Sequence, residues 1–210
     1  MWAIRFIQDG GFFMYPILLI MLIGFGIAIE RFLFLNRVKA SNKALWEAVF
    51  PFIKKGDTDK ALKQVKDNDT EIGRILEYGL TRNQSARRVE DVETAMEEAL
   101  MEVMPRLEAR TPYVATFANI ATLLGLLGTV QGLITAFEAV ANADPAQKGD
   151  LLSSSISVAM NTTAFGLFVA IPLLLVYAFL QSRTGEVVES LEMASIKLLN
   201  ALRQLRNNQE

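Results

Sequence analysis

Hydroxyl-bearing and small side chains recur at helical spacing in two neighbouring stretches of this sequence that carry no charge. Along the first stretch they are Thr122, Gly125, Thr129, Gly132 and Ala136. Along the second they are Ser155, Ala159, Thr163, Gly166 and Ala170. Steps of three and four residues place each set on one face of a helix. In hydrocarbon, such a face indicates either close helix contact or a wetted path for ions.

Three apolar runs, 12–29, 111–137 and 151–182, provide the helices that would position these faces. The last two exceed the roughly 20 residues that a helix needs to cross a bilayer core, and they predict a membrane hairpin. The first run is longer than a signal-peptide core and no small-x-small cleavage motif precedes Glu30, so we expect a retained span. Nearly all charge lies between and after the runs, which predicts a polar domain inserted between the first two spans.

Composition excludes several classes of protein. The net charge of −2 over 210 residues gives no indication of a nucleic-acid partner. The chain has neither cysteine nor histidine, which excludes disulfides, Cys or His metal sites and every nucleophile paired with an imidazole. No Ser-x-x-Lys motif or close acidic pair falls at an expected pocket. We therefore expect a protein that is not an enzyme and that binds no metal or cofactor.

The distribution of basic residues predicts the topology. Arg31, Arg37, Lys39 and Lys43 follow the first span, Arg106 and Arg110 precede the second, and Arg183 follows the third. The loop 138–150 between the last two spans holds one lysine and three acidic residues. The positive-inside rule then places the amino terminus and this loop outside, and the insert and the carboxyl tail inside.

The insert is expected to be helical. Residues 41–55 place apolar side chains on one face and end at Gly56, and Asp57 precedes a second, short helix. A third segment and a fourth, 89–109, follow. The apolar faces of these four segments are Leu45, Val49, Phe52 and Ile53; Ala61, Leu62 and Val65; Ile72, Ile75, Leu76 and Leu80; and Val92, Met96, Leu100, Val103 and Leu107.

Pro112 leaves two possibilities where the insert meets the second span. Either the helix 89–109 stops and Thr111 caps a new helix with Pro112 at its first position, or one helix continues into the membrane with a kink. We prefer the continuous helix. The tail, 184–206, has apolar residues at helical spacing and is expected to extend the third span. It would pack on the 89–109 helix or on a neighbouring copy.

Two features of the spans limit the chemistry. Gly128 and Gly132 form a GxxxG motif, which permits close approach of backbones in lipid. Thr129 and Thr163 could each bond the carbonyl four residues earlier and simply pack, but matching stripes on consecutive spans favour a shared polar path. No charged residue lies within the apolar runs 12–29, 111–137 and 151–182. A proton pump normally needs a carboxylate in the membrane, so ion transport here would require a charge from another chain.

Three motifs carry a resemblance to a known family. The run 123–132, LLGLLGTVQG, and the run 162–167, TTAFGL, followed by Val169 to Pro172, resemble signatures of the MotA/TolQ/ExbB family of ion-channel motor subunits. Pro16 to Leu19, followed by Glu30 and Arg31, is similar to the first span of that family. The number of spans and the position of the insert are most similar to the ExbB and TolQ branch.

The resemblance implies an all-α membrane protein with three transmembrane helices and long cytoplasmic helical extensions that forms a homopentameric ring. The second and third spans would line a central channel that holds a dimer of ExbD- or TolR-like single-span subunits, each with one intramembrane aspartate. Ion passage would turn this partner. Its periplasmic part would then deliver work, through a TonB-like protein, to the outer membrane.

The expected segments follow from the runs and the resemblance together. Residues 1–11 would form an interfacial segment, or equally a frayed terminus, and residues 12–36, 111–140 and 151–182 the transmembrane helices. Residues 37–110 would be the cytoplasmic insert, 141–150 the periplasmic loop and 183–210 the cytoplasmic helix. The protein would lie in a bacterial inner membrane with its amino terminus periplasmic and its carboxyl terminus cytoplasmic.

The resemblance also implies roles for single residues. Thr129 and Thr163 correspond to channel threonines that face the partner's aspartate. Further candidates for the ion path are Thr162, Asn161 and Ser155, and Gly125, Gly128, Gly132 and Gly166 are assigned to close helix packing. ExbB members often carry a glutamate where this chain has Val158. That difference argues against a proton relay within this subunit and leaves the coupling ion as H⁺ or Na⁺.

Three functional hypotheses follow. The first is an ExbB-like subunit that couples an ion gradient to TonB-dependent transport across the outer membrane. The second, within the same family, is a TolQ-like subunit for envelope maintenance or a gliding-motility motor. The third is a passive membrane scaffold whose polar faces serve only to pack helices.

Overall fold

The computed structural model describes residues 11–66, 68–86 and 88–207. Over these residues the chain is almost entirely helical and contains no strand, so the predicted all-α class is confirmed. The helices are α1 (Met14–Lys54), α2 (Thr58–Val65), α3 (Glu71–Ser85), α4 (Val89–Glu108), α5 (Thr111–Ala141) and α6 (Lys148–Asn207). Apart from Gly11, the segment 1–11 that we expected at the membrane interface lies outside the described residues.

Three helical stretches are long and apolar enough to cross a membrane, namely Met14–Lys54, Val89–Ala141 and Lys148–Asn207. The second and third contain the apolar runs 111–137 and 151–182, and the first contains the run 12–29 from Met14 onward. α1 continues through Glu30 and Arg31 and ends at Lys54, and Gly56 has a φ of +79°. Glycine adopts that left-handed conformation without a steric penalty, so the predicted glycine stop is confirmed. α6 likewise continues from the third apolar run through the tail, whereas the membrane boundaries along both helices stay predictions.

The continuous helix that we preferred between the insert and the second span is wrong. α4 ends at Glu108, Arg110 has a φ of +64°, and α5 begins at Thr111. Pro112 favours the break, because within a continuing helix its ring would crowd the carbonyl of Glu108 and it has no N–H to donate, but proline alone does not dictate a break, since Pro51, Pro105 and Pro172 lie inside helices of this chain. In the first turn of a new helix neither restriction applies. The capping position is Arg110, one residue earlier than the alternative prediction placed it.

The described residues divide into two compact units. The first contains residues 11–31 and 110–180, and therefore both polar faces. The second contains the described residues of 32–109 and 181–207, which comprise the insert and the tail. Different types of residue form the helix contacts in the two units.

The core of the second unit is built from aliphatic faces of α2, α3 and α4 together with residues 38–53 of α1 and 187–202 of α6. Nearly all the apolar positions predicted for these segments are buried, while Phe52, Leu62 and Leu100 are partly buried against the core. The tail therefore packs on α4 within the chain, as one of the two predicted arrangements had it. An ion pair of 3.2 Å between Arg203 and Glu93 joins the same two helices.

Side chains define where the short helices of the insert begin. The Asp57 carboxylate accepts a hydrogen bond from the backbone N–H of Lys60 at 3.2 Å, at the start of α2. The Thr70 hydroxyl accepts one from the N–H of Gly73 at 3.1 Å, at the start of α3. Both residues thus satisfy N–H groups that have no partner inside the helix.

In the first unit, α5 and α6 approach until their backbones are in contact. A Cβ atom placed on Gly166 would lie 2.7 Å from the carbonyl oxygen of Ala121 and 3.0 Å from the Cα of Gly125. One placed on Gly132 would lie 2.6 Å from the Cβ of Ala159, and Gly128 is similarly close to Thr162. The glycines assigned to close packing thus line one contact within the chain, which we call the α5–α6 seam. Contacts between copies stay a prediction.

The beginning of α1 packs on this hairpin. A Cβ atom placed on Gly24 would lie 3.0 Å from a methyl of Leu173 in α6 and 3.6 Å from Phe117 in α5. Met14 and Ile17 are fully buried. α1 therefore covers one side of the hairpin, the side to which Phe117 and Leu173 belong.

We predict that Leu198→Ala in α6 lowers the free energy of unfolding by about 2 to 5 kcal/mol, because the fully buried side chain leaves a cavity in the core of the second unit. Thermal or denaturant unfolding of the purified protein in detergent, followed by circular dichroism, measures the change. Ile196→Ala is the matched control, since Ile196 lies on the same helix and is 52% exposed. It should change stability by no more than about 0.5 kcal/mol, and equal losses would contradict the assignment of the core.

We also predict that Gly166→Ala destabilises the first unit by about 1 to 3 kcal/mol, because the added methyl must displace the backbone of α5. The control is Gly26→Ala in α1, where a Cβ would meet no atom within 4 Å. That substitution should be neutral or stabilise the helix by up to about 1 kcal/mol. The two melting temperatures in detergent decide the matter, and equal values would rule out backbone contact at Gly166.

Candidate functional site

Two threonine hydroxyls join α5 and α6 in the middle of the seam. Thr163 Oγ1 in α6 donates to the carbonyl oxygen of Gly125 in α5 at 2.9 Å. Thr129 Oγ1 lies 3.3 Å from the same oxygen and 3.5 Å from the carbonyl oxygen of Ala159 in α6, and the two hydroxyls are hydrogen-bonded to each other. The close approach at the glycines permits this arrangement, because a side chain at Gly125 would separate the helices.

This geometry bears on whether the two threonines only pack within their own helices, which the sequence left open. A threonine that merely packs in a helix bonds the carbonyl four residues earlier. Thr162 does so, donating to Val158 at 3.0 Å, and so does Thr122, donating to Ala118 at 3.2 Å. Thr163 instead bonds the facing helix, whereas Thr129 does bond Gly125, four residues earlier on its own helix, and in addition reaches the carbonyl of Ala159 on α6. The predicted pair therefore differs from ordinary helical threonines, whereas Thr162 is buried against Gly128.

Thr129 and Thr163 lie at the edge of the seam that α1 does not cover. On α5, Gly128 faces Phe13 near the start of α1, and Thr129 lies about 100° further around the helix. Both threonines are half-buried in the single chain. Their neighbours on this side are exposed and mostly apolar, namely Thr122, Leu126 and Leu133 on α5 and Met160 and Leu167 on α6. The two threonines thus lie beside an exposed, mostly apolar surface of α5 and α6.

A cavity of about 290 Å³ lies on the other side of the seam, between residues 11–13, α5 and α6. Ser155 and Thr162 line it, together with Gln131 and Thr135. The structure therefore separates the candidate site residues into two groups. Thr129 and Thr163 lie together at the seam, while Ser155 and Thr162 face this cavity; Asn161 is half-buried and is not among the residues that line it.

The sequence reading missed Gln131 and Thr135 as partners of Ser155. A signal for them exists, because Gly128, Gln131 and Thr135 are spaced by three and four residues and form a second small and polar face on α5. Val158, which stands where the resemblance implies a glutamate in ExbB members, also lines this cavity. A carboxylate at that position would have polar neighbours, whereas the valine side chain cannot form hydrogen bonds with them.

The chemistry available at the seam is that of uncharged oxygen atoms. Hydroxyls and backbone carbonyls can coordinate a partly dehydrated cation or hold water in a chain. They cannot accept a proton at neutral pH and carry it as a fixed charge. The site as it stands can therefore solvate an ion but needs a titratable group from elsewhere to select and move protons.

Comparison with known proteins places these features in a family. Residues 67–193 match the model of the MotA/TolQ/ExbB proton channel family. A putative biopolymer transport protein ExbB homolog from Methanothermobacter thermautotrophicus is 30% identical over 196 residues, which cover 91% of this chain and 67% of that protein. The Tol-Pal system protein TolQ of Pseudomonas aeruginosa is 28% identical over 165 residues, which cover 73% of this chain and 71% of that protein.

A third relative extends the match over nearly the full length of both proteins. The biopolymer transport protein ExbB of Neisseria meningitidis serogroup B is 25% identical over 203 residues, covering 87% of this chain and 89% of that protein. The resemblance that the motifs carried is thus confirmed by independent similarity along the chain. With three helices that can each span a bilayer, the chain is a multi-pass membrane protein and belongs to the MotA/TolQ/ExbB proton channel family.

Proposed function

We propose that this chain is an ExbB-like motor subunit of the inner membrane that couples an ion gradient to TonB-dependent transport across the outer membrane. Family membership supports the ion-channel class of protein. The single observation that carries the proposal is the hydrogen-bonded pair of Thr129 and Thr163, which joins the two helices that would line the channel. A pair used only for packing would not need to lie half-buried beside an exposed, mostly apolar surface.

In the proposed assembly, five copies place the surface around Thr129 and Thr163 toward the centre of a ring. An ExbD- or TolR-like dimer occupies that centre and brings the intramembrane aspartate that this chain lacks. The insert and the tail are cytoplasmic, the loop after α5 is periplasmic, and residues 12–36, 111–140 and 151–182 cross the membrane. The coupling ion is H⁺ or Na⁺, because hydroxyl and carbonyl oxygens suit both.

A TolQ-like role in envelope maintenance is the second candidate. The similarity to a relative named TolQ, 28% over 73% of this chain, supports it about as well as the similarity to relatives named ExbB. The part that separates the two roles belongs to the periplasmic domain of the partner. A neighbouring reading frame for a single-span protein with one intramembrane aspartate would identify that partner.

The passive scaffold is supported by one observation, since the seam packs α5 against α6 within one chain. Packing and conduction make different predictions for the two hydroxyls. In a scaffold they contribute only two hydrogen bonds, whereas in a channel they solvate the moving ion.

We predict that the double variant Thr129→Val with Thr163→Val abolishes ion-driven activity while the assembly stays intact. Valine keeps the shape of threonine and removes only the hydroxyl oxygens. Each tenfold loss of flux corresponds to about 1.4 kcal/mol of lost stabilisation of the ion at its barrier. Ion flux in proteoliposomes that contain the complex with its partner measures the effect, and the mass of the complex in detergent checks assembly.

Thr116→Val is the matched control for that variant. Thr116 lies on α5, is exposed, and bonds the carbonyl of Pro112 in its own helix at 3.2 Å. Its loss should leave the flux unchanged. Full activity in the double variant would refute the channel role of the threonines and leave the scaffold as the better description.

The number of copies can be tested directly. We predict that the detergent-solubilised protein has a protein mass of five times 23.3 kDa, and that co-expression with the adjacent small subunit adds two copies of that subunit. Native mass spectrometry resolves both values. Any other copy number, or binding of the small subunit outside a complete ring, would contradict the proposed arrangement.

A further inference from the structure

Charged residues of opposite sign are segregated between two helices of the second unit. α4 contains seven acidic residues and one basic residue. Residues 32–54 of α1 contain four basic residues and one acidic residue. Most of these charged side chains are exposed. The unit therefore presents negative charge along α4 and positive charge along α1.

α6 separates these charges into two grooves. The groove between α4 and α6 has a volume of about 320 Å³, and its carboxylates are Glu93, Glu97 and Glu192. The groove between α1 and α6 has a volume of about 260 Å³, and its ammonium groups are Lys39, Lys43 and Lys197. We call them the acidic groove and the basic groove. Glu192 and Lys197 lie about 140° apart around α6, so the grooves open on different sides of that helix.

Most of these charges are not neutralised by a close ion pair within the chain. Lys39 and Glu93 each pair with a residue of α6, at 2.7 and 3.2 Å. Lys43 lies 3.9 Å from Glu47, and both side chains are largely exposed, so water screens this pair. In the part of the chain that the structure describes, three charges of the grooves form no ion pair, namely Glu97, Glu192 and Lys197. Each groove thus keeps charge that a partner can meet.

Both grooves also contain apolar side chains beside their charges. Leu100 is partly buried in the acidic groove. In the basic groove Trp46 is partly buried, and Met193 is 52% exposed. Apolar and aromatic contacts surrounded by charged groups are typical of the surfaces by which proteins bind each other. The composition of both grooves therefore suits a protein partner.

We propose that the acidic groove of one copy docks against the basic groove of the next copy. This inference rests on the ring under the proposed function and names the surfaces by which its copies meet outside the apolar runs. Charge complementarity identifies the occupant, because each groove finds the opposite charge on another copy of the same chain. Two different surfaces meet in this contact, so it is head-to-tail, and such contacts form a ring when the rotation between copies closes.

Crosslinking between two tagged copies tests the contact, and it is selective because the sequence contains no cysteine. One copy carries Met101→Cys, at a position next to Leu100 that is 69% exposed. The other carries Glu47→Cys, at an exposed position next to Trp46. The two variants are co-expressed with different affinity tags and treated with a flexible bismaleimide in detergent. We expect a crosslinked dimer that contains both tags, and none when either variant is expressed alone.

Charge reversal tests whether the opposite charges hold the two surfaces together. Glu97→Lys with Glu192→Lys, added to the copy with Met101→Cys, should lower the yield of the dimer at least about fivefold, because like charges across an interface oppose association. Lys43→Glu with Lys197→Glu, added to the other copy instead, should do the same. When both copies carry their reversals, the charges are complementary again and the yield should recover. A loss caused by damage to the fold would not recover, and circular dichroism checks each variant.

Lys63→Cys in place of Glu47→Cys is the matched control. Lys63 is exposed on α2 and lines neither groove, so this pair should give no dimer with both tags.

The outcomes separate this contact from the ring itself. Absence of the two-tag dimer, in a protein whose native mass shows several copies, overturns the contact and leaves the ring standing. A dimer that forms equally with Lys63→Cys, that ignores the reversals, or that does not recover when both are present overturns it as well. A native mass of one copy overturns the ring, and this inference with it.

Discussion

The contact between Gly125 and Gly166 is the constraint on which the packing of the first unit depends. At this point the backbones of α5 and α6 are separated by less than the space that one methyl group needs. Lipid tails are as apolar as leucine, so helices in a bilayer gain little from burying large side chains against each other. They gain from close backbone contact and from hydrogen bonds across the interface, and this seam provides both.

The same contact creates the candidate site. Only when the helices are this close can the hydroxyl of Thr163 reach the carbonyl of Gly125 across the interface. The hydroxyl of Thr129 then meets it, and both stay at the edge that α1 leaves open. The geometry of the seam is therefore compatible with both packing and the proposed ion solvation. The glycines set the distance between α5 and α6, and the threonine hydroxyls bond across it. Removing the hydroxyls should therefore affect the proposed ion solvation alone, whereas a larger side chain at a glycine should affect both the packing and the hydroxyl pair.

How far the sequence predicts this molecule depends on the range of each interaction. Helical spacing and turn residues are local, and they identified the apolar faces of α2 to α4, the start of α2 at Asp57 and the stop at Gly56. The break before α5 was the alternative that we did not prefer, and the left-handed backbone at Arg110 was not predicted, because it has no signature in an arginine side chain. The stripes indicated which faces of α5 and α6 are polar. They did not indicate that Thr163 bonds Gly125 while Thr162 bonds its own helix, since this depends on the rotation of one helix against the other.

Long-range pairs lie further beyond a single sequence. Asn42 meets the start of α3 thirty positions along the chain, and a cavity adds Gln131 and Thr135 to residues that the stripes had singled out. In both cases the sequence shows the residue types, an amide among lysines and a polar face beside a GxxxG motif. It does not show which residues lie next to them in the folded protein.

α6 forms two kinds of helix contact, and the residues that make them differ in size. Toward α5 it presents Ala159, Thr163 and Gly166, and the interface is made by backbones and hydroxyls. Further along it presents Leu191, Leu198 and Leu202 to the core of the second unit, where the side chains are fully or almost fully buried. In water the burial of large apolar side chains stabilises a helix contact, whereas in lipid it does not. The contact residues of α6 thus change from small to large along one helix, which is the change that a passage from lipid into water is expected to produce.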